Sequence, residues 1–414
     1  MRYLLGIDDT DSRFGHCTTH LGYLIACELA RAGCALPTYP RLVRLNPNIP
    51  FKTRGNAAVC IEFEADPSRL PDAVECAERL LEAEADVANG ANAALVLVPK
   101  DPDPLYFRQL YERALGGIVG YKAVIKAVSA TEAHLKLLGN GMGIVGAAAS
   151  LGFRPESNDH TFELLAYRRP ENCGTQREVD RASVKEMEAD TFPHTFNSYD
   201  HESGRVLISP TGPDPVLLGI RGDSPDVVLL AYRRVRVGED PLGHIVYVTN
   251  QCTEAHLGSG LSLPLKAYSS GWLEGIVVSK EPQEGGHLSL VIEAGGSRVV
   301  CMVYEPSGDL RRMANQLESG DLLRLCGGVR RATSRHQAVL NVEKIEVISV
   351  SGRPARRMLQ PGTYLPSPRA QRHLTKQLIR YGNEAGRFPG LVPGWIRFPA
   401  GSKSLLPEEV ILGR

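Results

Sequence analysis

The sequence has 414 residues, more than one hydrophobic core normally serves, so we expect two to four domains. Hydrophobic residues make up 43% and charged residues 23%, as in globular proteins, and no apolar run is long enough to predict a membrane-spanning helix. Lys and Arg balance Asp and Glu, and no secretion signal is recognisable, so we predict a cytoplasmic protein.

The nine cysteines predict free thiols rather than disulfides or a metal site. No two of them form a C-x-x-C pair, so a zinc ribbon has no support and we expect no zinc. The number is odd and most cysteines lie in apolar surroundings, which favours buried, reduced thiols.

An acidic motif follows the first predicted strand, residues 2–7. Strands and helices then alternate, which indicates an α/β domain over 1–155. The strand ends in "GIDDTDS", where Asp8, Asp9 and Asp11 fall within four positions. Carboxylates this close repel one another unless a cation lies among them, and Mg²⁺ prefers such ligands together with phosphate oxygens. A turn followed by a helix cap is the alternative interpretation.

Three further segments of this region carry residue types that suit phosphate. "GHCTTHL" predicts a helix capped by Thr18 or Thr19, whose backbone N–H groups can hold an anion. "NPNIPFKTRGNAA" places Lys52 and Arg54 between two strands, as a phosphate-binding loop or as a solvated loop. The glycines of "GNGMGIVGA" predict either a phosphate cradle or close helix packing.

The second region predicts the order β-α-β-β-α-β, which is the ferredoxin-like arrangement, over 156–262. "RVLISP" is the second predicted strand of this unit. "SPTGPDPVLLGIRGDSP" places Asp214, Arg221 and Asp223 in tight turns. These charges either serve the turns or face a cleft between domains.

Residues 263–350 predict five short strands with a helix between the third and fourth, which favours an OB-fold barrel that binds nucleic acid. Residues 351–414 carry eleven Lys and Arg against three Asp and Glu, which predicts a basic C-terminal arm partly ordered on the other domains or a partner. Basic residues at helical spacing in "PSPRAQRHLTKQLIRYG" predict either a phosphate-contacting face or a solvated one. They are Arg369, Arg372, Lys376 and Arg380.

These motifs, with "TFELLAYR" and "VYVTNQ", occur in one order along most of the chain. In this combination the sequence resembles the archaeal 2-agmatinylcytidine synthetase family, which acts on the AUA-decoding isoleucine tRNA. The resemblance implies a kinase-like α/β domain, a ferredoxin-like domain and an OB-fold. It also implies that agmatine is joined to C2 of the wobble cytidine, after phosphorylation of the C2 oxygen, with ATP split to AMP and diphosphate.

The resemblance also assigns residues. Asp8, Asp9 and Asp11 would act in catalysis and in binding Mg²⁺, and Thr18 would become phosphorylated. For ATP and its phosphates we expect Thr10, Ser12, Lys52, Arg54, Asn56, Gly141 and Gly143. For the cationic agmatine we expect an acidic side chain, with Asp9, Asp214 and Asp223 as candidates. For the tRNA, recognised at its anticodon region and acceptor stem, we expect Arg369, Arg372, His373, Lys376 and Arg380.

The sequence departs from the family pattern in two places. The zinc ribbon expected before "PRAQRHL" is absent, and Cys252 and Glu254 stand where the family has a glycine and an aspartate. Two other functions therefore remain open, a diverged paralogue acting on another RNA or nucleotide and a non-catalytic RNA-binding protein. Retention of the three aspartates with Thr18 argues against the second.

Overall fold

The computed structural model describes residues 1–101, 105–201, 204–307, 309–334, 337–351, 364–366, 391–392 and 394–399. The candidate tRNA contacts Arg369, Arg372, His373, Lys376 and Arg380 lie outside the described residues. Among the described residues, no helix combines the length and the apolar character needed to cross a membrane. All nine cysteines are free thiols and five of them are buried, as predicted.

The first unit combines α-helices and strands. They are β1 (Arg2–Asp8), α1 (Thr18–Arg31), β2 (Arg41–Arg44), β3 (Ala57–Glu64), α2 (Leu70–Glu84), β4 (Ala94–Pro99), α3 (Leu105–Gly116), α4 (Tyr121–Ser129), β5 (His134–Leu137) and α5 (Ile144–Ser150). The strands lie in the order β5-β4-β1-β3-β2, and every neighbouring pair is antiparallel. The sequence pattern did not predict α4 and β5.

Strand β1 is central because its apolar run covers both faces of the sheet. Leu4 and Leu5 point to opposite faces and both are fully buried. Helix α5 lies so close to this strand that a Cβ on Gly6 would stand 2.2 Å from the carbonyl oxygen of Ala147. The end of β1, which carries the acidic motif, is therefore held directly against α5.

The second unit also combines α-helices and strands. They are β6 (Thr161–Tyr167), α6 (Arg181–Thr191), β7 (Thr195–Phe196), β8 (Tyr199–Asp200), β9 (Arg205–Val206), β10 (Val216–Gly222), α7 (Pro225–Arg234) and β11 (Gly243–Thr249). Its strands lie in the order β11-β6-β10-β7, again antiparallel. The prediction of "RVLISP" as a full strand of this sheet was wrong, because its first two residues instead form a hairpin with β8, and the two-residue β7 pairs with β10.

Both units have the same connectivity. Each contains a β-α-β-β-α-β run, with β1 to β4 in the first unit and β6, β7, β10 and β11 in the second, and the four strands of the run lie in the spatial order fourth, first, third, second. Two strands joined through a helix run parallel to each other, but an antiparallel strand lies between them in the sheet. This is why alternating strands and helices give an antiparallel sheet here. The two sheets join edge to edge through a parallel pairing of β2 with β11.

The third unit is a small barrel. Its elements are β12 (Ser270–Pro282), β13 (Leu288–Ala294), β14 (Ser297–Val303), α8 (Asp309–Ala314), β15 (Leu322–Arg330) and β16 (Val339–Ser349). The order β14-β13-β12-β15-β16 is closed by a parallel pairing of β14 with β16, around a separate apolar core. The described residues therefore form a mixed α/β protein of several units, in which the first two units share one continuous sheet and the third has its own.

Two short strands come from the C-terminal segment. They are β17 (Tyr364–Pro366), which pairs with β16, and β18 (Ile396–Arg397), which pairs with β11. Trp395 and Ile396 are buried against the second unit and the side chain of His244 contacts the Gly394 carbonyl. Part of the predicted arm therefore packs on the body of the protein.

Candidate active site

A cleft of about 280 Å³ opens beside the end of β1. One wall is the acidic motif, and the others are the loop 49–57, the α3–α4 connection 117–121 and the segment 142–146. Of the predicted site residues, Asp8, Asp9, Asp11, Lys52, Asn56 and Gly143 line it. The mouth is apolar, since the side chains of Phe51 and Ile118 are about half exposed there.

The carboxylates of Asp8 and Asp9 are held by the backbone around them. Asp9 has a left-handed backbone with φ 57°, and its N–H donates to Asp8 Oδ1 at 2.7 Å. Helix α5 supplies the space, because a Cβ on Gly146 would lie 1.8 Å from Asp8 Oδ2. Close packing therefore explains the glycine of α5.

The pKa values of these acids are raised because they lie close together away from water. Burial raises the pKa of Asp8 well above its usual value, and the charges of Asp9 and Asp11 add to the effect. Burial, followed by the Asp11 charge, raises the pKa of Asp9 to about 6. A cation in the cleft would relieve both effects.

Asp11 differs from the other two acids because it has a cationic partner. Arg54 Nη2 lies 2.7 Å from Asp11 Oδ2, and Nη1 of the same guanidinium lies 3.5 Å from Asp214 Oδ2. Asp214 belongs to the second unit, where Arg177 also contacts it at 3.4 Å. Arg54 thus connects the acidic motif to the second unit.

The loop after β2 is anchored through Asn46. Asn56 donates to the Asn46 carbonyl at 2.9 Å, and the fully buried Asn46 side chain donates to the Tyr268 carbonyl of the barrel at 2.7 Å. Lys52, in the middle of this loop, donates to the Pro47 carbonyl, and partial burial lowers its pKa. The loop therefore holds a cation at the cleft and contacts the barrel at its base.

Thr10, Ser12 and Thr18 stand behind the acidic wall rather than in the cleft lining. The hydroxyls of Thr10 and Thr18 are 3.0 Å apart, and Thr18 is 6% exposed. Ser12 donates to Asp86 at 2.5 Å, which fixes the loop after β1. Thr18 is the first residue of α1.

Gly141 and Asp223 are also not brought to the cleft. Gly141 lies outside its lining, in a turn against Leu137. Asp223 pairs with His194 at 2.9 Å, at the far end of β10 from Asp214. Seven strand residues between them correspond to roughly 20 Å. The structure therefore groups Asp214, and not Asp223, with the acidic motif.

Sequence reasoning missed part of the cleft. The connection 117–121 forms one wall, and its only signal was the glycine pattern of "GGIVG". Asn92, which hydrogen-bonds Asp9, had no signal at all. Its contact depends on how β4 lies beside β1, which the local pattern around Asn92 does not encode.

The acids fit a hard cation such as Mg²⁺. In the part of the chain that the structure describes, no Lys, Arg or His side chain pairs with Asp8 or Asp9, so their oxygens have no competing cation. Mg²⁺ usually takes one or two protein carboxylates and completes its shell with phosphate oxygens and water. Among the described residues no group of three His, Cys, Asp or Glu side chains forms a metal cluster.

Comparison with known proteins identifies the family. Residues 4–69 match the model described as TiaS TCKD domain, and residues 141–256 match the TiaS FLD domain. The isoleucine tRNA 2-agmatinylcytidine synthetase TiaS of Cenarchaeum symbiosum is 42% identical over 83% of this chain and 76% of its own length. The chain belongs to the isoleucine tRNA 2-agmatinylcytidine synthetase family. The Methanopyrus kandleri member is 37% identical, over 83% of this chain and 79% of its own length.

Solved members of the isoleucine tRNA 2-agmatinylcytidine synthetase family have the same architecture. A crystal structure of TiaS in complex with its isoleucine tRNA and ATP matches 94% of this chain and all of its own, with a TM-score of 0.79 at 30% identity. A complex of TiaS with the same tRNA, AMPCPP and agmatine matches the same shares with a TM-score of 0.78 and 30% identity. The resemblance stated from the sequence motifs is confirmed.

Proposed function

We propose that this protein conjugates agmatine to C2 of the wobble cytidine in the AUA-decoding isoleucine tRNA, using ATP. The C2 oxygen accepts a phosphoryl group from ATP, a guanidino nitrogen of agmatine then forms a bond to C2, and the C2–O bond breaks so that the oxygen leaves as phosphate. The observation that carries this proposal is one cleft in which the acidic motif and the Lys52 loop face each other, in a member of this family.

The charges of the cleft suit phosphoryl transfer, which depends on positioning and on neutralising phosphate charge. We assign the Mg²⁺ site to Asp8 and Asp9 with Asp11 beside them. When bound there, Mg²⁺ supplies charge neutralisation on the phosphate oxygens. Lys52 contributes a second positive charge, and Asn56 and Gly143 border the phosphate chain. Arg54 orients Asp11 rather than reaching the cleft by itself.

Agmatine carries positive charge, so its site requires uncompensated acid. Asp214 is contacted by two arginines, and Asp223 lies at the distant end of β10. Asp9 lines the cleft but is assigned to Mg²⁺, so none of the three candidates supplies an uncompensated acid and we assign no residue to agmatine. The flipped cytidine would bring its flat face to the apolar mouth formed by Phe51 and Ile118.

The domain assignment follows from the connectivity. We propose a kinase-like domain over 1–155, a ferredoxin-like domain over 156–262 and an OB-fold over 263–350, with a basic C-terminal segment over 351–414. The spatial order of β11, β6, β10 and β7 supports the second label, and the closure of β14 on β16 supports the third. The proposal includes binding of the tRNA through this basic segment, no zinc ion and a cytoplasmic location.

The proposal is tested by incubating the protein with ATP, Mg²⁺, agmatine and a transcript of the AUA-decoding isoleucine tRNA. Nucleoside mass spectrometry of the recovered tRNA should reveal an agmatine adduct of cytidine, and omission of ATP should abolish it. An unmodified cytidine in the complete reaction, despite tight tRNA binding, would overturn the proposal.

A further inference from the structure

Four residues without a role in the proposed reaction meet at one point between the first two units. Arg44 ends β2, Glu163 lies in β6, Arg221 lies in β10 and Cys252 follows β11. Glu163 Oε1 is 2.9 Å from Arg221 Nε, and its Oε2 is 3.4 Å from Arg44 Nη2. One carboxylate thus holds two guanidinium groups that come from separate units.

The cluster has an excess of positive charge. The Glu163 side chain is 2% exposed, whereas those of Arg44 and Arg221 are 29% and 25% exposed. The two arginines overcome burial and lower the pKa of Glu163, so it is ionised and cancels only one of the two charges. The thiol of Cys252 stays neutral, because burial raises its pKa to about 11.

Several guanidinium donors remain open. Among the described residues, the buried Nε of Arg44 has no hydrogen-bond partner, and no acceptor contacts the Nη atoms of Arg221. The buried Nε of Arg44 is unpaired, which is uncommon in native proteins, and the partly exposed Arg221 side chain keeps its Nη donors available to an incoming acceptor. Two forked guanidinium groups match the oxygens of a phosphate.

The location separates this cluster from the ATP cleft. Arg44 Nη1 lies against Gly55 of the loop 49–57, at 2.8 Å from where a Cβ would stand. The Arg44 backbone is fixed by Asn250, which accepts from its N–H at 2.7 Å and donates to its carbonyl at 2.8 Å. Neither Arg44 nor Arg221 lines the cleft that holds the acids. The pair is therefore adjacent to the reaction site and outside the cavity assigned to the triphosphate.

We propose that Arg44 and Arg221 form a binding site for a phosphate group of the RNA backbone beside the reacting nucleotide. This inference rests on the proposed function, because RNA is the substrate that brings phosphates outside the ATP cleft. Glu163 is the positioning residue that holds both guanidinium groups. A phosphodiester seated there would fix the nucleotide next to the cleft while its base enters.

The test measures binding of the tRNA transcript to Arg44→Gln and to Arg221→Gln at several salt concentrations, without ATP or agmatine. Each variant should bind about tenfold more weakly, and the slope of log affinity against log salt should fall by about one. ATP affinity, measured by calorimetry, should stay unchanged. Arg234→Gln is the matched control, since Arg234 also pairs with a carboxylate, Asp190 at 3.0 Å, on an exposed surface.

Each glutamine variant leaves Glu163 with one arginine, and circular dichroism verifies its fold. If one fails to fold, Arg221→Lys keeps the charge but loses the fork, and should still bind the tRNA severalfold more weakly. Affinity and salt slope equal to those of Arg234→Gln would overturn the proposal. Weaker ATP binding with unchanged tRNA binding would also overturn the proposal, because Arg44 and Arg221 would then bind ATP and not the RNA backbone. Because the assay contains no reaction, its failure is distinct from failure of the proposed activity.

Discussion

Asp9 combines an unfavourable backbone conformation with an unfavourable electrostatic environment. Its φ of 57° lies in the left-handed region, and its carboxylate stands beside two other acids away from water. Strained, like-charged residues persist where binding needs them. The cost of Asp9 therefore supports its place in the proposed cation site.

The raised pKa of Asp9 makes the free energy of unfolding depend on pH in a defined direction. The folded pKa of about 6 lies above the ordinary value of 3.8, so the folded state binds more protons than the unfolded state between these values. The free energy of unfolding therefore decreases as pH rises from about 4 to about 6. Asp9→Asn should weaken this dependence and raise the melting temperature at pH 7 without divalent ions. Asp223→Asn is the control, and a lower melting temperature for Asp9→Asn would contradict the account.

Thr18 and Thr19 offer a matched pair for the proposed self-phosphorylation. Both are buried at the start of α1, but only the Thr18 hydroxyl contacts Thr10 behind the acidic motif. Thr18→Ala should abolish transfer of labelled phosphate from ATP to the protein, and Thr19→Ala should retain it. Phosphopeptide mass spectrometry measures both. A phosphate that persists in Thr18→Ala would exclude this residue.

Cys252 has a left-handed backbone with a φ of 67°, a conformation that favours glycine. A side chain in this left-handed conformation destabilises the folded state by roughly 1–2 kcal/mol. Glycine avoids this cost, but its greater conformational freedom in the unfolded state offsets part of the gain. Cys252→Gly should therefore raise the melting temperature by a few degrees. Cys252→Ala, which keeps a Cβ, should not, and equal shifts in the two variants would refute the strain argument.

At the scale of elements, the barrel is joined to the loop that borders the cleft. Asn46 and Asn48 from the turn after β2 contact Ser270 at the start of β12, at 2.9 and 2.7 Å. The barrel also contacts the second unit, where Lys344 pairs with Glu254 and Glu343 lies beside His256. The position of the barrel is therefore coupled to the residues of the loop 49–57.

Asn48→Ala tests the contact between the barrel and the loop after β2. It removes one hydrogen bond between the units, which costs about 1 kcal/mol, so the melting temperature should fall by a few degrees. Asn315→Ala, on the exposed surface of the barrel, should leave it unchanged. Calorimetry compares the two, and equal melting temperatures would show that the contact contributes nothing.

Patterns that act within an element were readable from the sequence. The first strand β1 and the five barrel strands were predicted and are observed. The two-residue strand β7 was not, because it is too short to show a period. The contact of Arg54 with Asp214 joins separate units, and no local pattern encodes it.

At the scale of the whole molecule, two units with the same connectivity join through β2 and β11. The acidic motif comes from one unit, Asp214 from the other, and the barrel contacts the loop between β2 and β3. The C-terminal segment returns to β11 through β18. The second unit and the barrel therefore contact residues that stand beside the cleft of the first unit, Arg54 and Asn46.

The proposed conjugation is tested by nucleoside mass spectrometry of tRNA recovered from the complete reaction. With the wild-type protein, and not with Asp9→Asn, we expect a cytidine whose mass rises by that of agmatine less one water, at the wobble position only. An unmodified cytidine with wild-type protein that binds both ATP and the tRNA would contradict it.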